Sequence, residues 1–180
     1  HTLEKIDYPP LGELYRGKVR DNYINGNNRI IISTDRISSF DRVITTIPFK
    51  GQILNQISSF WLDKTKHIAK NHLIEIPDPN ISIVQECETI PIEVIVRGYI
   101  TGTMWRNHLK GKDTSGISLP KGTVKNQKLD DVIVTPSTKA ETGHDIYISR
   151  DHIFGEGIVD WNIYCQMEEA ALKLFKYGQR

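Results

Sequence analysis

The sequence predicts an α+β fold with a mainly antiparallel sheet and helices set apart from it. Three observations lead there. Two strand-like runs, 14–24 and 29–34, are separated only by Asn25-Gly26-Asn27-Asn28, a strong hairpin signal. One long helical pattern follows the strands instead of alternating with them. The chain then crosses an irregular region and closes on helices, an order that argues against repeated βαβ units.

Each element has its own warrant. Gly17 interrupts the first run at a place where a backbone can approach a ligand closely. Between 52 and 70 the apolar residues Ile53, Ile57, Trp61 and Ile68 return at helical spacing, with Phe60 beside the stripe. Residues 74–76 and 81–85 read as short strands around the turn Pro77-Asp78-Pro79-Asn80. The β-branched apolar stretch 90–100 reads as a buried strand. The polar segment 110–144, punctuated by Gly and Pro, offers few regular elements and is long for a passive connection. Ser149 is placed to cap a short helix and Asp160 a final one, whose stripe is Ile163, Met167, Ala170, Ala171, Leu174 and Phe175. The sequence stops just after that helix with no closing element, so it reads as incomplete at its C-terminal end.

Composition narrows the function classes. Of the 180 residues 38% are hydrophobic and 25% charged, the balance of a globular protein rather than a disordered one. A net charge of +1 supplies no global field to draw in nucleic acid or an anionic membrane. No apolar run reaches the length of a membrane-spanning helix. The two cysteines, Cys87 and Cys165, lie far apart without metal-like spacing, which suits buried thiols in a reducing cytoplasm. Zinc-protease spacing, a Walker loop and a hydrolase nucleophile elbow are all missing.

Four segments gather chemistry. In Tyr15-Arg16-Gly17-Lys18-Val19-Arg20-Asp21, strand alternation puts Arg16, Lys18 and Arg20 on one face, suited either to a triphosphate or to guarding a sheet edge. Ser33-Thr34-Asp35-Arg36-Ile37-Ser38-Ser39-Phe40-Asp41 crowds hydroxyls and carboxylates at a strand end, as binding sites and capped turns both do. Asn55 lies near a helix start, where amides attract anions. In the stretch 91–103, Glu93 and Arg97 share a face and lead into Gly98 and Gly102. A cation there needs a carboxylate, Glu93 itself, or a phosphate in a glycine-opened pocket with Thr103. The last segment is Thr135-Pro136-Ser137-Thr138-Lys139-Ala140-Glu141-Thr142-Gly143-His144-Asp145. It brings carboxylates suited to Mg²⁺ beside a lysine suited to an anion.

In this order the segments 15–21, 33–41, 96–103 and 135–145 resemble the signature segments of the SAICAR synthetase (phosphoribosylaminoimidazole-succinocarboxamide synthase) family. The resemblance covers nearly the whole chain from Leu14 onward. It implies two lobes with an ATP cleft between them: residues 1–100 as a nucleotide-binding lobe with a kinase-like hairpin, and 101–180 as the start of a second α+β lobe. It implies a ligase that uses ATP and Mg²⁺ to join L-aspartate to carboxyaminoimidazole ribotide through an acyl phosphate. On this resemblance Arg16, Gly17, Lys18 and Arg20 meet ATP. Asp35, Ser38, Arg97, Thr103, Lys139, Glu141, His144 and Asp145 meet substrate, with Arg97 and Thr103 at the ribotide phosphate. No catalytic residue or metal ligand is assigned, because the family's later acidic segments fall beyond residue 180. A kinase-like phosphotransferase would need His-Arg-Asp and Asp-Phe-Gly motifs, and neither occurs. A non-catalytic nucleotide- or RNA-binding module is disfavoured by balanced charge and few aromatic clusters.

Overall fold

The structure is a computed structural model that describes residues 1–40, 42–112, 114–139 and 145–180. The chain divides into two compact units, His1–Glu88 and Thr89–Arg180.

The first unit is built on a hairpin-rich sheet. Strands β1 (Glu13–Arg16), β2 (Arg20–Asn25) and β3 (Asn28–Ser33) run antiparallel in sequence order. A separate hairpin, β4 (Arg36–Ser39) with β5 (Arg42–Thr46), precedes helix α1 (Lys50–Thr65). Strands β6 (Leu73–Asp78) and β7 (Ile81–Gln85) complete a five-stranded sheet of order β1-β2-β3-β7-β6. The turn after Asn25 forms as expected: Asn25 faces Asn28, and Gly26 takes a positive φ of 59°. The run 14–24, by contrast, is two strands. Its chain reverses over residues 17–19, with Arg16 opposite Asp21 and the Gly17 amide donating to Arg20 O at 2.8 Å. Tyr23 and Ile32 are buried in this unit, and the Tyr23 hydroxyl holds the N-terminal segment by accepting from the Tyr8 amide and donating to Ile6 O.

Helix α1 departs from its predicted packing. Ile53, Ile57, Phe60 and Trp61 are exposed, and the buried positions are Gly51 and Asn55. The helix meets the sheet through its small and polar side. Asn55 Oδ1 accepts from Ser82 Oγ at 2.7 Å, and its amide donates to Pro79 O at 3.0 Å. Asn55 is thus tied into the fold rather than turned to an anion. A Cβ on Gly51 would stand 2.2 Å from Ser33 O and 2.6 Å from Asn80 Nδ2, so the contact admits hydrogen only.

The second unit starts with β8 (Ile92–Tyr99) and α2 (Gly102–Leu109), followed by β9 (Lys128–Thr138), α3 (Arg150–Gly155) and α4 (Trp161–Gly178). β9 lies inside the segment expected to be irregular. It pairs antiparallel with β8 along most of its length, which draws β8 into this unit. Both predicted caps form: Ser149 Oγ accepts from the His152 amide, and Asp160 accepts from the amides of Asn162 and Ile163. The core joins Ile92, Ile148, Ile153, Val159 and Tyr164. Ile163 of the predicted stripe is exposed, and Tyr164 takes the buried place. Gly98 does not open a pocket, because the Phe175 ring of α4 lies 3.3 Å from where its Cβ would be. Among the described residues no helix is long and apolar enough to cross a membrane.

Two outcomes follow from this packing. Gly51→Ala must push α1 off the end of β3, and urea unfolding is expected to show a loss of about 1–3 kcal/mol. Burial pushes the Tyr164 phenol up, with the Glu168 carboxylate adding to the rise and Arg150 opposing it. The neutral phenol therefore stabilises the fold fully below the unfolded tyrosine value of about 10, and this is lost as pH rises through the folded value. Urea midpoints measured across alkaline pH are expected to fall less steeply in Tyr164→Phe than in the parent.

Candidate functional site

Two places in the described residues gather polar groups, one in each unit. In the first it is the β1–β2 turn. Arg36 donates from Nη2 to Gly17 O at 3.0 Å, from Nε to Lys18 O at 3.1 Å and from Nη1 to Glu4 O at 2.8 Å. The Arg36 Nη2 also donates to Asp21 Oδ1 at 2.8 Å, in an ion pair whose side chains are 7% and 0% exposed. Asp21 Oδ2 accepts from the Ile6 amide, and Thr34 Oγ1 donates to Val19 O, both at 2.8 Å. The carbonyls of Gly17, Lys18 and Val19 are thus all drawn inward. Every peptide bond described is trans, so the amides of Lys18 and Val19 point the other way, toward the outer side of the turn. A run of outward amides beside cations is an anion-binding arrangement.

The cations themselves are not on one face. Arg16 lies opposite Asp21 and donates to its Oδ1 at 3.3 Å and to Ile6 O at 2.8 Å. Arg20, one residue before Asp21, points to the other side of the sheet. There it lines a cavity of about 350 Å³ with Lys50, Ser33, Thr34 and Asn55. Lys18 is exposed at the turn. Asp35 is buried, with Oδ2 accepting from the Leu3 amide and Oδ1 from the Gly51 amide at the start of α1. Ser38 is half-buried on β4, and neither residue lines the cavity.

In the second unit the β8–β9 ribbon has two unlike faces. Ile92 and Val94 face the core. Glu93, Ile95 and Arg97 alternate to the other face, opposite Ser137, Thr135 and Ile133 of β9. Arg97 does not pair with Glu93. Its Nε donates to Thr135 Oγ1 at 3.0 Å, its Nη2 donates to the Tyr147 hydroxyl at 2.5 Å, and the guanidinium lies over the Tyr147 ring. Glu93 instead accepts from Lys139 at 3.1 Å. A cavity of about 830 Å³ opens on this face, lined by Glu93, Thr103, Ser137, Asp145 and Tyr147 among others. Of the predicted substrate residues, Thr103 and Asp145 line it directly. Lys139 reaches it through Glu93, and Arg97 through Tyr147. Glu141 and His144 lie outside the described residues. Thr135, Ser137 and Tyr147 went unassigned in the sequence; the need of Arg97 for partners was the signal for Thr135 and Tyr147, and Ser137 carried none.

The described residues hold no group of three or more His, Cys, Asp or Glu able to bind a metal. Two carboxylates, Glu93 and Asp145, share the larger cavity.

These features define an α+β protein with a basic, amide-lined turn in one unit and a polar cavity floored by a two-stranded ribbon in the other. Residues 13–180 match the model of the SAICAR synthetase family, and the chain belongs to that family. It is 45% identical over 174 residues to the phosphoribosylaminoimidazole-succinocarboxamide synthase of Legionella pneumophila (strain Paris), covering 94% of this chain and 55% of that protein. The SAICAR synthase of Saccharomyces cerevisiae, solved in complex with SAICAR, superposes with a TM-score of 0.84 at 30% identity, over 97% of this chain and 64% of that one. A type-2 SAICAR synthetase solved with ADP gives a TM-score of 0.73 at 25% identity, over 91% and 66%. The chain therefore spans about half the length of the curated relative it matches.

Arg36→Leu leaves the buried Asp21 carboxylate with only the longer, half-exposed Arg16 contact as a counter-charge and frees the turn carbonyls. Unfolding is expected to be easier by roughly 3–5 kcal/mol, and trypsin should cut faster after Lys18 or Arg20. Unchanged cleavage at those two sites would show that the turn is held some other way.

Proposed function

We propose that the protein is an ATP-dependent ligase of purine biosynthesis that joins L-aspartate to carboxyaminoimidazole ribotide, giving SAICAR, ADP and phosphate. The observation that carries this reading is Arg97. It is a half-buried guanidinium with hydroxyl partners and no carboxylate partner among the described residues, held against Tyr147, which lines a cavity large enough for a ribotide. A cation so placed is complementary to a phosphate monoester. Family membership and the SAICAR and ADP complexes of the two solved relatives support the same ligands.

The chemistry sets what the residues must do. A carboxylate is a poor acyl donor. The γ-phosphoryl of ATP moves to a carboxylate oxygen of the ribotide and releases ADP. The aspartate amine then attacks the acyl carbon, and phosphate leaves with that oxygen. Phosphoryl transfer needs placement and charge neutralisation more than covalent help. In this reading Gly17, Lys18 and Arg20 receive the ATP phosphates, with the outward amides of the turn as further donors. Arg16, tied to Asp21, supports the turn from behind. Arg97 and Thr103 take the ribotide phosphate. Lys139, Glu141, His144 and Asp145 are proposed to meet the reacting end of the substrate, and Asp35 and Ser38 are also proposed as substrate-binding residues. Mg²⁺ is proposed to enter with the nucleotide, since bound Mg²⁺ commonly uses phosphates and only one or two carboxylates. Its chemistry is neutralisation of the phosphate charge, and no residue is assigned to it. The cytoplasm is proposed as the compartment, consistent with two free thiols, Cys87 and Cys165.

Calorimetry separates the two ligand roles. Arg97→Ala is expected to weaken ribotide binding on the order of tenfold to a hundredfold while leaving ATP within a factor of about two. Lys18→Ala should weaken ATP more than AMP. Equal loss of both ligands in a folded Arg97→Ala variant would remove Arg97 from the phosphate site.

A further inference from the structure

A buried hydroxyl without a hydrogen-bond partner is destabilising, so a folded protein that keeps one gains something from it elsewhere. Among the described residues two buried side-chain atoms have no partner, Ser137 Oγ and Glu168 Oε2. Glu168 is already ion-paired through its other oxygen to Arg150. Ser137 has no such second tie. The residue is 3% exposed, and its single polar side-chain atom is unpaired where it lines the larger cavity. The strand does not need the hydroxyl, because backbone pairing with Glu93 and a bridge to Tyr147 hold the position.

Resting on the ligase reading above, we infer that Ser137 Oγ, together with the carboxylate of Glu93, binds the ribose hydroxyls of the ribotide. Directly opposed residues on a ribbon stand with Cβ atoms about 5 Å apart, so the two groups serve neighbouring atoms of one ligand. A carboxylate only accepts, and a serine hydroxyl both donates and accepts. The ligand group that suits such a pair is a vicinal diol. A second phosphate or carboxylate would be repelled by Glu93. The spacing along the strand agrees. The Arg97 guanidinium folds back onto Thr135, two residues before Ser137, or about 7 Å along the strand. A 5′-phosphate on that guanidinium lays the sugar ring across Ser137. Lys139 takes one oxygen of Glu93 and leaves the other to accept from the sugar.

The test is calorimetric titration of carboxyaminoimidazole ribotide and its 2′-deoxy and 3′-deoxy analogues, with melting midpoints recorded alongside. The parent protein is expected to bind at least one deoxy analogue about tenfold more weakly than the ribotide. Ser137→Ala should weaken the ribotide by a similar factor and lose discrimination against that analogue, with a melting midpoint unchanged or raised. Undiminished affinity and discrimination in Ser137→Ala would overturn the inference and leave the ribotide reading standing. A lowered midpoint with equal weakening of all three ligands would also overturn it, by making the hydroxyl structural. Failure of the parent to bind the ribotide would remove the underlying reading itself.

Discussion

The first unit depends on one pair of charges withdrawn from water, Asp21 and Arg36. Such a pair is stabilising only when the remaining donors and acceptors on both groups are met. Here they are. Arg36 is bonded to the carbonyls of Glu4, Gly17 and Lys18, and Asp21 takes the Ile6 amide and Arg16 as well. One ion pair therefore fastens the N-terminal segment, the β1–β2 turn and the start of β4. The turn's outward amides result from this, since Arg36 and Thr34 hold its carbonyls inward. The part of the molecule best suited to a phosphate is shaped by residues on the opposite side of the backbone.

In the second unit the equivalent constraint is strand alternation. β8 gives Ile92 and Val94 to the core and Glu93 and Arg97 to the cavity face. On β9, Thr135 and Ser137 reach that same face, and both are buried. A strand with an apolar side and a polar side ordinarily turns the polar side to water. This one turns its polar side into a half-enclosed cavity. Arg97 is held there by hydroxyls, which fix its direction without cancelling its charge.

What the sequence disclosed was mostly local. The Asn25–Asn28 turn and the Ser149 and Asp160 caps were legible because each rests on side chains within three residues of the backbone they bond. The reversal at residues 17–19 was not, because the Arg36 side chain that stabilises it comes from a different strand. β9 was hidden by Asp130, Asp131 and Pro136. Proline lacks a ladder donor and is tolerated there because the Pro136 backbone faces away from β8, its carbonyl accepting from the Ile148 amide beside the isolated Ser137–Tyr147 bridge. Arg97 could be singled out as a cation on an apolar strand, but its partners Thr135 and Tyr147 lie 38 and 50 residues away. Asp35 shows the converse limit. A carboxylate in a polar loop looks alike whether it meets a ligand or, as here, the amides of Leu3 and Gly51.

The alternation of β8 also sets a rule of parity on how this family can vary. With Ile92 and Glu93 held in place, deleting or inserting one residue between Glu93 and Arg97 would reverse every side chain beyond the change, turning the Arg97 charge toward the core. Changes of two residues keep each side chain on its own face. Length variation in this ribbon should therefore come in even steps, while the loops at either end remain free to vary by one.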